Sequence, residues 1–127
     1  EWNKPDSAII AFEQTLQLQP QNTDAMGKIA MIYGRFLKNY DLAISYAQRA
    51  IQIDPNEEGL YENMGIAYAM KGDITNALAT FKQGIATLPK SAKLHLNLGI
   101  TYQNMGDSVR ASQAFKRAFE LDPNLKR

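Results

Sequence analysis

Between Glu58 and Pro89 the apolar residues fall at helical intervals. Tyr61, Met64, Gly65 and Tyr68 stand at i, i+3, i+4 and i+7, which is one face of an α-helix. Gly72-Asp73 follows. A glycine after the last periodic residue accepts a positive φ and ends the helix, and the Asp73 carboxylate can cap the next one. A second periodic face runs through Ala77, Leu78, Phe81 and Ile85 as far as Pro89, which has no amide hydrogen and cannot continue a helix. The stretch therefore predicts a helix–turn–helix pair. Gly65 lies inside the first helix, where glycine costs about 1 kcal/mol relative to alanine. Its use there predicts that the second helix packs closely over it, and Gly84 predicts the same device facing the next unit.

The pattern recurs. Pro20, Pro55, Pro89 and Pro123 are spaced by 35, 34 and 34 residues, and so are Ala8, Ala43, Ala77 and Ala111. Tyr33, Tyr68 and Tyr102 follow at 35 and 34. The extra residue of the first full copy lies between Gly34 and Leu42, where Leu37-Lys38-Asn39 replaces the Gly-Asp turn. Its first helix is accordingly expected to run slightly long, with Asn39 as the cap of the next. The expected helices are 5–18, 22–37, 39–53, 57–70, 73–87, 92–104 and 107–121, with Ser91 capping the sixth. Ala8, Phe12 and Leu16 form the expected buried face of the first. Glu1, Trp2 and Asn3 read as the tail of a preceding helix, so that the chain starts inside a repeat, as a piece of a longer array would. One array over residues 1–127 results: a half repeat 1–21, then repeats 22–56, 57–90 and 91–127.

A helical period of this length, carried by Tyr61, Met64-Gly65, Tyr68, Gly72-Asp73, Ala77, Phe81 and Pro89, resembles the tetratricopeptide repeat family. The last copy repeats it with His95, Leu98-Gly99, Tyr102, Gly106-Asp107, Ala111, Phe115, Ala118 and Pro123. The first full copy is looser: Met26, Ile29-Ala30, Tyr33, Ala43, Ala50 and Pro55, with Ala47 in the place of the phenylalanine. The resemblance implies an all-α fold, a right-handed superhelical solenoid of antiparallel helix pairs with seven helices. It implies protein–protein interaction, with a partner's peptide held in the concave groove lined by the first helices.

Composition narrows the alternatives. The 14 basic residues against 13 acidic ones argue against a nucleic-acid or anionic-membrane surface as the main partner. With no cysteine there is neither a disulfide framework nor a thiolate metal site. No apolar run reaches the length of a membrane span, and no signal peptide is visible, so a cytoplasmic setting is the default expectation. His95 is the single histidine and takes the place of Tyr61 and Met26, which reads as a packed side chain, not as a ligand or general base. A metal site needs several convergent ligands, and none is visible. No phosphate loop or catalytic triad spacing occurs, so no enzyme, cofactor or metal is expected. Arg110, Lys116, Arg117, Lys126 and Arg127 form a mild basic cluster, read as a solvated helix face.

The resemblance places the candidate groove on the first helices. Spacing at i, i+4, i+7 and i+11 selects Asp24, Lys28, Met31 and Arg35, then Gly59, Asn63, Ile66 and Met70, then Lys93, Asn97, Ile100 and Asn104. Across the copies, Lys28, Asn63 and Asn97 form a polar row and Met31, Ile66 and Ile100 an apolar one. Arg35, Met70 and Asn104 are mixed. An asparagine amide both donates and accepts, so it can hold a peptide backbone. The family's carboxylate clamp fits poorly. Asn63 and Lys93 match it, but Gly27, Met31 and Asn97 stand where it needs lysine, asparagine and arginine. The alternatives are a structural array that forms homo-oligomers through its terminal helices, and a targeting module of a larger protein.

Overall fold

The computed structural model of the chain describes residues 4–126; the expected tail at Glu1, Trp2 and Asn3, and Arg127 of the basic cluster, lie outside them. Among the described residues there are seven α-helices and no strand: α1 (Lys4–Leu18), α2 (Thr23–Arg35), α3 (Tyr40–Ile53), α4 (Glu58–Lys71), α5 (Ile74–Thr87), α6 (Ala92–Asn104) and α7 (Ser108–Leu121). A short 3-10 turn, Pro123–Lys126, closes the described chain. Short turns fold α2 against α3, α4 against α5 and α6 against α7, while α1 packs on α2 as the second half of a preceding unit would. The fold is a solenoid of antiparallel helix pairs.

Polar residues start the helices where they were expected. The side chains of Asn22, Asn39, Asp73, Ser91 and Asp107 accept from the amides of Ala25, Leu42, Asn76, Leu94 and Arg110. Each satisfies a donor that the helix itself leaves open. Side-chain and backbone hydrogen bonds from Asn76 hold the Asp73 carboxyl below its usual range. Gly72 ends α4 with φ 93°.

Each unit is closed by contact between its two helices. A Cβ on Gly65 would lie 2.4 Å from the Phe81 ring, and one on Gly99 2.8 Å from the Phe115 ring. The aromatic ring occupies the space that the missing side chain leaves. Gly84 serves the joint between units, since a Cβ there would meet Leu94 of α6 at 2.8 Å and Tyr61 of α4 at 2.9 Å. The first full copy solves the same contact differently. Ala30 replaces the glycine and Ala47 the ring, and both are buried. Tyr61, Phe81, Met26, Ile29 and Leu94 are the largest fully buried side chains.

A second device anchors the start of each later first helix. The Tyr61 hydroxyl donates to the Pro55 carbonyl at 2.7 Å. In the next copy His95 Nε2 lies 3.1 Å from the Pro89 carbonyl. The imidazole, half-buried, takes over the tyrosine's tether.

Two expectations are corrected. α2 does not run long: it stops at Arg35, and the extra residue goes into the turn. There the Phe36 and Leu37 amides both bond to the Ile32 carbonyl, and Lys38 adopts φ 53°. In α1 the fully buried side chain is Ile9, while Ala8, Phe12 and Leu16 are half-buried, because among the described residues α1 meets a neighbour on one side only.

Candidate peptide-binding groove

The curvature of the array follows from which helices touch. α2 packs on α4 and α4 on α6, whereas α3 and α5, or α5 and α7, do not pack on one another. First helices crowd together on the inside of a curve and second helices spread on its outside. The residues selected by spacing on α2, α4 and α6 all reach the surface there: Lys28, Arg35, Ile66, Met70, Lys93, Ile100 and Asn104 are exposed, and Met31, Asn63 and Asn97 are half-buried.

Five of them converge. Met31, Arg35, Asn63, Ile66 and Met70 line one hollow of about 200 Å³ between α2 and α4. Its remaining walls include Ala30, Gly34 and Ala67, with Lys38 from the α2–α3 turn and Tyr40 from the start of α3. Lys28, Met31 and Asn63 also line a second hollow of about 170 Å³ nearer the helix starts, beside Asp24, Gly59 and Glu57. The two hollows share Met31 and Asn63, so they form one continuous trough. Lys93, Asn97, Ile100 and Asn104 belong to neither hollow.

The two asparagines are already engaged. Asn63 Nδ2 donates to the Gly27 carbonyl of α2 at 3.4 Å, and Asn97 Nδ2 donates to Glu62 of α4 at 2.9 Å. Each therefore links its own first helix to the one before it. An amide has two donors and a carbonyl acceptor, so each keeps capacity for a further partner. Sequence spacing alone does not reveal these bonds, because they join residues 35 or 36 positions apart.

Two carboxylates outside these hollows are also engaged. Ser91 Oγ donates to Glu58 while accepting from the Leu94 amide. Lys71 Nζ lies 2.5 Å from Asp41, and this hydrogen bond with its charge attraction holds the ammonium above its usual range. Lys28, Arg35, Lys38 and Lys93 make no ion pair among the described residues. No group of three or more His, Asp or Glu residues could hold a metal ion among the described residues. Helical spacing missed Ala30, Gly34 and Ala67 on the first helices, and Lys38 and Tyr40 beyond them. The signal for the last two was the inserted residue, which marks this turn as unlike the others.

Comparison with known proteins matches these observations. Residues 23–57 and residues 92–125 each match a family model described as tetratricopeptide repeat. The general transcriptional corepressor ssn6 of Schizosaccharomyces pombe is 32% identical over 80 residues, 63% of this chain but 7% of that protein. The chain thus spans a small fraction of the curated relatives it matches. Among solved structures, MamA from Desulfovibrio magneticus RS-1 superposes with a TM-score of 0.82 at 21% identity, covering 95% of this chain and 68% of that one. A thermophilic TPR protein of Thermus thermophilus gives 0.81 at 25% identity, covering 94% and 66%.

Proposed function

Because the chain belongs to the tetratricopeptide repeat family, a family of protein-interaction scaffolds, we propose that it binds a peptide segment of a partner protein along the concave face of α2, α4 and α6, centred on the trough between α2 and α4. The observation that carries this reading is the hollow in which Met31, Ile66 and Met70 stand together with Asn63. Ile66 is 38% exposed and Met70 61%, although both are large and apolar. Apolar side chains gathered in a concave site are what a binding surface offers. The trough carries no constellation for covalent chemistry, and the reading is of a binding module, not a catalyst.

Energetics set the expected affinity. Fully covering three such side chains contributes at most about 5–9 kcal/mol. Association costs an estimated 4–15 kcal/mol before any gain. Polar contacts to Asn63 and Asn97 add about 0.5–1.5 kcal/mol net each. Micromolar binding is then the tightest that these contributions allow for one site, raised by avidity where several arrays or sites act together.

The test uses peptides selected on this chain from a random library displayed on phage. Ile66→Asp is expected to weaken them at least about tenfold, since it puts a charge against an apolar contact. Its circular dichroism should be unchanged. Selected peptides that bind Ile66→Asp as tightly as the unaltered chain overturn the groove reading.

A second reading is a self-associating array. Val109 on α7 is 69% exposed, and Phe115 and Phe119 stack with ring centroids 6.1 Å apart beside an open hollow of about 490 Å³. An apolar face of this kind is a place of association.

A further inference from the structure

The hollow beneath the α2–α3 turn differs from the rest of the trough in its rim. In the later copies the cap amide closes the turn on a carbonyl five residues back, from Asp73 to Tyr68 and from Asp107 to Tyr102. In the first full copy Asn39 reaches six residues back, to Tyr33. The inserted residue widens the turn, and Lys38 comes to the place held elsewhere by Gly72 and Gly106. It shares their left-handed backbone, at φ 53° against 93° and 84°. A lysine is strained in this conformation and a glycine is not.

The strained residue lines the apolar hollow, three residues beyond Arg35, where α2 ends. Both side chains are exposed, and neither makes an ion pair among the described residues. Asp41, in the first turn of α3, does not neutralise them, because Lys71 holds it. The second hollow is different, with Asp24 and Glu57 beside Lys28. One end of the trough therefore joins an apolar floor to two unpaired cations. At about 200 Å³ the hollow exceeds the roughly 150 Å³ apolar cavity that takes up benzene, so a leucine, methionine or phenylalanine side chain fits it.

We propose that this end of the trough selects partner segments in which a large apolar residue is flanked, within one or two positions, by aspartate or glutamate. The proposal rests on the peptide-groove reading above. The apolar side chain enters the hollow against Ile66 and Met70. The flanking carboxylates meet Arg35, whose planar fork can hold a carboxylate through two hydrogen bonds, and Lys38, which acts as a point charge. The Lys38 backbone strain is retained because it places an ammonium where glycine would place none.

The test is the composition of the selected peptides and its response to charge reversal. On the unaltered chain, acidic residues should be enriched on either side of a large apolar residue. On Arg35→Glu with Lys38→Glu, the enrichment should turn to lysine and arginine, and peptides from the first selection should bind about tenfold more weakly. The milder pair Arg35→Gln and Lys38→Gln should lose the acidic preference while keeping the apolar one. Raising salt should weaken the original peptides on the unaltered chain more than on the glutamine pair. Peptides that need Ile66 but show no acidic enrichment, or none that reverses, overturn this proposal and leave the groove reading standing. Peptides indifferent to Ile66→Asp overturn the groove reading itself.

Discussion

Gly65 and Phe81 behave as one choice made at two positions. The ring of Phe81 is buried to within 1% and cannot swing aside as a flexible chain end would. A methyl placed 2.4 Å from two of its carbons must displace it. Alanine at position 65 gains about 1 kcal/mol of helix propensity, but overpacking a close-packed site costs about 1–3 kcal/mol. Gly65→Ala is expected to destabilise the chain by up to about 2 kcal/mol in urea denaturation. In a Phe81→Ala background the same change should be neutral or stabilising, because only the propensity term is left. Additive effects in the four-protein cycle would mean that the close contact is not what keeps the glycine. This contact was legible in the sequence, since a glycine at a buried helical position requires an offset. The Ala30 and Ala47 pairing was visible as a departure from the pattern, but its meaning became clear only with both side chains buried.

At the scale of elements, the side-chain caps and the positions of the helices follow from local chemistry, which is why the helices and three of the five caps, Asn39, Asp73 and Ser91, could be read in advance. The end of α2 could not. The insertion was placed correctly between Gly34 and Leu42, but a helix and a turn can each take up one residue. The choice fell to the turn, where Phe36 and Leu37 share the Ile32 carbonyl and Lys38 takes a positive φ. The left-handed region costs a non-glycine residue about 1–2 kcal/mol. Lys38→Gly removes that strain and gives part of it back as backbone entropy. It is expected to raise the urea midpoint by an amount equivalent to about 0.5–1 kcal/mol, with the slope unchanged. A lowered midpoint would show that the lysine side chain stabilises the turn by more than its backbone strain costs.

The whole molecule is a curve whose inner side was inferred from resemblance and whose joints were inferred only at Gly84. Asn63 and Asn97 were read as polar groups that hold a peptide backbone, yet their amides also tie α4 to α2 and α6 to α4. Contacts between copies depend on the angle between units, and no local pattern encodes that angle. The outer side of α7 raises a question at the same scale. If the chain self-associates through Phe115, Phe119 and Val109, its sedimentation coefficient should rise with concentration, and Phe119→Asp should suppress the rise. A strict monomer at high concentration excludes that reading. The matched glycine and ring also bear on how such an array changes by duplication and recombination. A crossover in the loop between units passes on Gly65 with Phe81, or Ala30 with Ala47, as an intact set. A crossover in the turn within a unit would join Gly65 to Ala47 and leave the volume of a phenylalanine ring unfilled, at about 3–5 kcal/mol. It could equally set Ala30 against Phe81, a methyl against a ring. Exchange with the first full copy therefore keeps its packing only when whole helix pairs move, whereas the later two copies, which both set a glycine under a ring, can also cross over within the turn; the loops at Pro55 and Pro89 are the seams along which all three can be shuffled.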